Sequence, residues 1–309
     1  MNGSPKSPRA ETARRAALWP AALRPWLLLG PGLLWLLLLF AAPLAALVPM
    51  SLSEPRDRFS LSMAFSGRIA NYSEVLSQYG PILLRSLSYA GIATLLALLI
   101  AYPLAWVISF RGGRWKGLLM GLVVVPFFTS YLVRAIAWTT LLSDQGPVLR
   151  LLRGLHLSGL LEGLGVLEDG RLLNTAAAVI GGLAYNTLPF MVLPIVVSME
   201  KIEPRLLEAA SDLHATPLAS FRRVVWPLTL PGVMAGLVLS LIPAAGDVVN
   251  AQFLGGPNNR MIGNVVQNLM LVQRQLPKGA ALALLLMTLM TAAVLAYLQR
   301  HGSEELTLP

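Results

Sequence analysis

Long apolar stretches alternate with short polar stretches along this chain. Six of the apolar stretches are long enough to cross about 30 Å of hydrocarbon as helices that rise about 1.5 Å per residue. They cover residues 26–50, 85–110, 118–142, 173–199, 228–250 and 280–298. The pattern therefore predicts an all-α, polytopic membrane protein with six transmembrane helices. Its predicted parts are an N-terminal tail of residues 1–25, a transmembrane domain of residues 26–299 and a C-terminal tail of residues 300–309.

Composition supports a membrane protein and sets its orientation. Of the 309 residues, 55% are hydrophobic and 13% are charged, whereas a soluble domain carries about 25% charged residues. The net charge of +9 could suit nucleic acid, but Lys and Arg lie in short blocks between the apolar stretches. Such blocks are typical of loops that determine membrane topology. Since the basic residues do not form one patch, we do not expect nucleic acid as a partner. The density of Lys and Arg in the N-terminal tail and in the Arg111–Gly117 loop predicts that both termini are cytoplasmic.

The sequence offers no pattern for catalysis or for metal binding. It has no cysteine, and its three histidines, His156, His214 and His301, lie far apart. It has no phosphate-binding P-loop motif, no paired carboxylates and no Ser-His-Asp arrangement. We therefore expect neither an enzyme nor a protein with its own metal or cofactor.

A polar segment at residues 200–227 separates the fourth and fifth apolar stretches. Pro204 suits the first turn of a helix, and Thr216-Pro217 suits the cap and first turn of a second helix. Each helix has one apolar face, and Trp226-Pro227 is expected to end the second one. The segment is either a hairpin that lies on lipid headgroups or a docking element for a soluble partner. Its acidic first helix, with Glu208 and Asp212, is unsuited to an anionic lipid surface.

This segment resembles the cytoplasmic loop signature of the membrane subunits of bacterial ABC importers. The signature, E-A-A-x-x-x-G and then I-x-L-P, is matched by Glu208-Ala209-Ala210 and by Val224 and Pro227. His214 stands where the family has Gly, and Trp226 where it has Leu. Flanking segments such as "VVVPFFTSYLVRAIAWTTLLSDQGPV" (residues 123–148) and "FLGGPNNRMIGNVV" (residues 253–266) resemble the spermidine/putrescine branch.

The resemblance implies the type I permease fold and a place in the bacterial inner membrane. It also implies a cytoplasmic ATPase dimer that binds the ATP, a sister permease subunit in a heterodimer, an extracytoplasmic substrate-binding protein and surrounding membrane lipids. In the family this loop couples to the ATPase. The residues of this chain expected in that role are Glu208, Ala209, Ala210, Asp212, Leu213, His214, Leu218, Phe221 and Pro227.

The translocation pathway is expected to use polar groups within or next to the apolar stretches, where ionisable side chains are costly and commonly functional. The candidates are Asp247, Asn250, Gln252, Asn186, Tyr185 and Trp138. Asp247 would contact a cationic solute, or else be a water-exposed carboxylate or a partner for Asn250. Arg134 is expected in a structural ion pair. Gly117 and Gly121 have the spacing of close helix packing.

The function implied is the permease half of an ATP-driven importer for spermidine, putrescine or a similar small solute. One alternative is a permease of the same superfamily for iron, thiamine, sulfate or an opine-like compound. Another is a secondary transporter, which would carry its own coupling carboxylates and commonly shows inverted repeats.

Overall fold

The structure is a computed structural model that describes residues 24–55 and 63–301. Residues 1–23 and 302–309 lie outside the described residues, so the two predicted tails fall almost entirely there. The α-helices are α1 (Arg24–Leu36), α2 (Ala42–Ser51), α3 (Ala70–Trp106), α4 (Lys116–Val124), α5 (Tyr131–Leu142), α6 (Pro147–Gly154), α7 (Ser158–Gly163), α8 (Ala176–Glu200), α9 (Pro204–Asp212), α10 (Pro217–Ser220), α11 (Trp226–Ala245), α12 (Val249–Leu254), α13 (Ile262–Gln267) and α14 (Leu276–His301). Strands β1 (Ser53–Pro55) and β2 (Met63–Phe65) pair antiparallel.

Several helices are joined end to end by wider π-helical turns or by tighter 3₁₀ turns. The π turns are Leu37–Ala41, Val107–Arg111, Phe221–Val225 and Asn268–Val272, and the 3₁₀ turns are Gly113–Trp115, Val125–Phe128 and Pro257–Asn259. With these turns included, the described residues form five apolar helices of membrane-spanning length, over Leu29–Ser51, Ala70–Arg111, Ala176–Glu200, Pro217–Ala245 and Leu276–Tyr297. The all-α prediction and five of the six spans are confirmed.

The third predicted span, residues 118–142, is wrong as a straight helix. Two helical stretches, Gly113–Phe128 and Tyr131–Gly154, meet there at a bend of 99°. Thr129 and Ser130 have extended backbone at this bend. Both sides of the bend are apolar enough to read as one membrane span, so hydropathy does not reveal the break. The part of the chain that the structure describes has six spans if this bent pair counts as one.

The second span begins earlier than residues 85–110 suggest. Helix α3 starts at Ala70 because Val75 and Leu83 are buried against Ile262, Leu269 and Leu282 near the chain's last helix. The polar residues of this first part, such as Ser73 and Ser77, lie exposed on the other side. A helix of 42 residues is about 63 Å long, which exceeds the hydrocarbon thickness of about 30 Å.

The core is formed where α3, α8 and α11 pack together. Ala90, Ala93, Ala97, Ala101 and Ala105 form a fully buried stripe along α3. Small side chains let helix backbones approach closely in a membrane, where the hydrophobic effect does not drive helices together.

Close packing by glycine occurs on α11 rather than at Gly117 and Gly121. A Cβ added at Gly117 or Gly121 would meet no atom of the described chain within 4 Å. At Gly232 and Gly236, in "GVMAG", an added Cβ would lie within 3.0 Å of atoms of α8. Gly232 and Gly236, which have the same spacing, therefore make the close helix contact that was expected of Gly117 and Gly121. The sequence analysis missed this pair.

Ion pairs mark the two ends of the bundle. At one end Lys116 Nζ lies 2.9 Å from Glu200 Oε1, next to the segment of residues 200–227. At the other end Glu74 pairs with Arg68 at 2.6 Å and with Lys278 at 3.0 Å. Helix α3 and the π turn Val107–Arg111 that follows it form one continuous helix, which connects these two ends.

Candidate functional site

The segment of residues 200–227, called here the coupling loop, projects from the end of the bundle marked by Lys116 and Glu200. Helix α9 begins with Pro204 in its first turn, and Thr216 caps α10 by accepting a hydrogen bond from the amide of Ala219 at 3.3 Å. Both helix starts agree with the sequence analysis. Glu208, Asp212 and His214 are exposed.

His214 closes α9 in the geometry that glycine commonly supplies. Its φ is 55°, its amide donates to the carbonyl of Ser211 at 2.9 Å, and the amide of Ala215 donates to the carbonyl of Ala210 at 3.0 Å. These two bonds define a Schellman motif, in which the residue after the helix cap is left-handed. His214 thus keeps the backbone turn that the family signature assigns to Gly, with the steric cost of a side chain at positive φ.

The loop's apolar side chains divide into exposed and inward-facing ones. Leu213 is 83% exposed and Leu218 is 66% exposed, as expected for residues that await a partner. Phe221 is half-buried, and its ring lies 5.8 Å from that of Tyr102 and 6.2 Å from that of Trp106. The ring of Phe221 therefore packs against the bundle, and a contact of its exposed part with the ATPase stays a prediction.

Trp226-Pro227 does not end the second helix of the loop. Helix α10 continues through the π turn Phe221–Val225 into α11, so that residues 217–245 form one helix. A wide turn accommodates the missing amide hydrogen of Pro227. In an apolar surrounding a backbone that leaves the helix has no other hydrogen-bond partner, which favours continuity.

A buried polar network joins the two places where the helices are broken. Asp247 follows the end of α11 and is 7% exposed, and Asn250 in α12 is fully buried. The Asp247 carboxylate accepts from the amides of Asn250 at 2.8 Å and Ala251 at 3.3 Å. It also accepts from the hydroxyl of Tyr131, the first residue after the 99° bend. Asp247 thus lies in the break between α11, which ends at Ala245, and α12, which begins at Val249.

The side-chain hydrogen bonds of this network lead from Asn186 through Asn250 to the Asp247 carboxylate, which is the final acceptor. Asn186 Nδ2 donates to Asn250 Oδ1 at 3.1 Å, and Asn250 Nδ2 donates to the Tyr131 hydroxyl at 2.6 Å and to Asp247 Oδ1 at 3.3 Å. Among the described residues no Lys, Arg or His pairs with Asp247. Asn186 Oδ1 is buried without a hydrogen-bond partner. The carboxylate is therefore held by neutral donors, and one amide oxygen of the network has no hydrogen-bond partner.

The remaining pathway candidates lie in different places. The rings of Trp138 and Tyr185 pack edge to face 5.3 Å apart, joining α5 to α8. Gln252 is exposed and lines a separate cavity of about 470 Å³ with Arg260, Asn264 and Gln267. The structure thus brings Asp247, Asn250 and Asn186 together and separates them from Gln252. Tyr131, which the sequence analysis missed, links Asp247 to the bend.

Arg134 does not form the ion pair expected of it within the described part of the chain. Its guanidinium stacks over the rings of Phe127 at 4.3 Å and Tyr131 at 5.4 Å. Its Nε and Nη1 atoms are buried without hydrogen-bond partners. Aromatic faces attract a cation, so these rings stabilise the charge in place of a carboxylate.

The structure has membrane-length helices, and two of them are broken around a buried carboxylate. A polar loop is exposed at one end of the bundle. Together these features define a polytopic membrane protein of the transport class. Residues 93–303 match the family described as "Binding-protein-dependent transport system inner membrane component". The chain belongs to this family. Since the family consists of transport permeases, the chain is a permease and not an enzyme, and the alternative of a secondary transporter is wrong.

Relatives and solved structures agree with this membership. The chain is 40% identical over 236 residues to the spermidine/putrescine transport system permease protein PotB of Haemophilus influenzae, covering 76% of this chain and 79% of the relative. It is 37% identical over 265 residues to PotB of Escherichia coli K12, covering 85% and 92%. It is also 33% identical to the E. coli inner membrane ABC transporter permease protein YdcU, covering 90% and 89%.

The predicted type I importer permease fold is confirmed by a solved structure. A chain in the crystal structure of a bacterial ABC transporter that imports alginate superposes with a TM-score of 0.64. The match covers 92% of this chain and 97% of that chain, at 19% sequence identity.

Proposed function

We propose that this permease forms half of the translocation pathway of an ATP-driven importer for spermidine, putrescine or a similar polycation. The observation that carries the choice of solute is the 37–40% identity to PotB proteins over most of the chain. The buried Asp247 supports it, because an anionic group without a cationic partner in a membrane favours a passing cation. The free acceptor Asn186 Oδ1 would add a second oxygen for an ammonium group.

The proposal includes partners and an orientation. A cytoplasmic ATPase dimer would bind the ATP and dock on the coupling loop, so the chain itself needs no cofactor. A sister permease would complete the pathway, and an extracytoplasmic binding protein would deliver the solute. The coupling loop and both termini would then face the cytoplasm of the bacterial cell. The exposed Glu208, Leu213 and Leu218 support this arrangement, because they offer polar and apolar contacts at one end of the bundle.

Reversing the charge of Glu208 tests the coupling loop. We expect Glu208→Lys to reduce both capture of the ATPase by the purified permease and ATP-dependent uptake of labelled spermidine into vesicles that contain all subunits. Glu162→Lys is the matched control, because Glu162 is also an exposed glutamate but lies in α7, beyond the opposite end of α8. Normal capture and uptake by Glu208→Lys would refute the role of Glu208.

Removing the charge of Asp247 tests the pathway. We expect Asp247→Asn to lower spermidine and putrescine uptake about tenfold while the ATPase remains bound, because the substitution keeps the side chain's shape and removes its attraction for a cation. Asp144→Asn is the control, since Asp144 forms an exposed ion pair with Arg171. Uptake at the wild-type rate by Asp247→Asn would contradict a role for this carboxylate in transport.

A further inference from the structure

An aromatic cluster joins the coupling loop to α3. It consists of Tyr102, Trp106, Phe221 and Trp226. The ring of Tyr102 lies 5.8 Å from Phe221 and 5.4 Å from Trp226, and the rings of Phe221 and Trp226 are 6.2 Å apart. Two of these residues belong to α3, and the other two lie within and just after the π turn Phe221–Val225. The cluster therefore bridges the helix that leaves the coupling loop and the helix that spans the bundle.

A buried hydrogen-bond chain fixes the same contact. The Thr229 hydroxyl, which is fully buried, directs its single proton to the carbonyls of Val225 at 2.9 Å and Trp226 at 3.1 Å. It therefore accepts the bond from the Tyr102 hydroxyl at 2.9 Å. These hydrogen bonds tie α3 to the end of the π turn and the start of α11. A π turn is a deformable place in a helix and is commonly found at functional sites.

The other end of α3 is anchored as well. Glu74, in the first turns of α3, pairs with Arg68 and Lys278. No proline-induced break or gap interrupts the helix between Ala70 and Trp106, although Pro81 and Pro103 lie within it. A displacement applied near Tyr102 is therefore carried by one continuous helix toward the opposite side of the membrane.

We propose that the aromatic cluster and the Tyr102–Thr229 bond make the coupling loop and the adjoining part of α3 a single rigid unit. A movement of the loop then displaces α3 instead of being absorbed in the π turn. Tyr102, Trp106 and Thr229 are positioning residues in this scheme, since they contact neither ATP nor solute. The inference rests on the proposed function, because it requires an ATPase that moves the loop.

The test compares transport with ATP hydrolysis in vesicles that contain the permease pair, the ATPase and the binding protein. The variants are Tyr102→Phe, Thr229→Val and Trp106→Leu. We expect each to lower the number of spermidine molecules imported per ATP hydrolysed several-fold, with ATPase capture and basal hydrolysis unchanged. Tyr89→Phe is the matched control: Tyr89 lies on α3, and its hydroxyl donates to Asn259 Oδ1 at 2.8 Å, away from the coupling loop. Its import per ATP should equal the wild-type value.

A double substitution separates a specific contact from general damage. If the Tyr102–Thr229 bond carries the effect, Tyr102→Phe combined with Thr229→Val should be no worse than either alone, because both remove the same interaction. Additive losses, or wild-type import per ATP in all three variants, would overturn the inference. If wild-type vesicles show no ATP-dependent polyamine uptake, the proposed function fails first. In that case hydrolysis stimulated by the binding protein, measured in the same variants, still reports whether the loop and α3 are coupled.

Discussion

Replacing Gly232 by alanine should destabilise the contact between α8 and α11. The new Cβ would lie well inside 3.0 Å of the Ser198 side chain and of the carbonyl oxygen of Pro194. A serine side chain can rotate, but a main-chain carbonyl in a helix moves only with the helix. The two helices must therefore separate locally to admit one methyl group.

The magnitude follows from two opposing effects. Overpacking a well-packed contact costs about 1–3 kcal/mol, and a rigid carbonyl places this site near the upper value. Alanine is preferred over glycine in a helix interior by about 1 kcal/mol. The free energy of unfolding should fall by about 2 kcal/mol as the difference between these effects.

Alanine substitutions at two other glycines give reference values for the change in stability. Gly181 lies on α8 with no atom within 4 Å of an added Cβ, so Gly181→Ala should keep or slightly raise stability. A Cβ added at Gly236 would lie 2.7 Å from Met191 Sδ. Because a methionine side chain is adaptable, the stability of Gly236→Ala should fall between those of the other two variants. Unfolding of the purified permease complex by titration with a denaturing detergent would give the three values. If Gly232→Ala were as stable as Gly181→Ala, close helix packing at Gly232 would be disproved.

Two further substitutions test the coupling loop and the buried network. His214→Gly should raise the free energy of unfolding by up to about 1 kcal/mol, because glycine adopts positive φ without steric cost; a lower melting temperature would contradict the turn geometry described at this residue. Tyr131→Phe removes the hydroxyl that donates to Asp247, and a hydrogen bond to a charged group contributes about 1.5–3 kcal/mol. We expect the unfolding free energy to fall by about that amount in the same detergent titration, and an unchanged value would show that the carboxylate does not depend on Tyr131.

Hydropathy predicted the continuous spans because an apolar surrounding forces the backbone to satisfy its hydrogen bonds within a helix. The same reasoning could not locate the bend at Thr129 and Ser130, since the segments on both sides of it are apolar. It also placed the start of α3 too late. Polar residues such as Ser73 and Ser77 lie on a helix that extends beyond the hydrocarbon, where they are exposed.

In the coupling loop, the starts of the helices were easier to predict from the sequence than the contacts of individual side chains. The residues Pro204, Thr216 and Pro217 predicted the helix starts correctly, because caps and first turns depend on neighbouring residues alone. The inward packing of Phe221 depends on Tyr102 and Trp106, more than a hundred residues away in sequence. Tyr131 was missed for the same reason, since a single hydroxyl in an apolar stretch gives no pattern.

The bend after α4 has a consequence for the biogenesis of the permease. Phe128, Thr129 and Ser130 are exposed, and Ser130 makes no side-chain bond to the first amides of α5. Lipid tails cannot satisfy such amides, so irregular backbone at membrane depth must be covered by protein or water. In the proposed importer, a copy inserted without its sister permease would leave this stretch against hydrocarbon. The cell is therefore expected to degrade unassembled copies, which would keep the amount of this permease matched to that of the subunit that covers the bend.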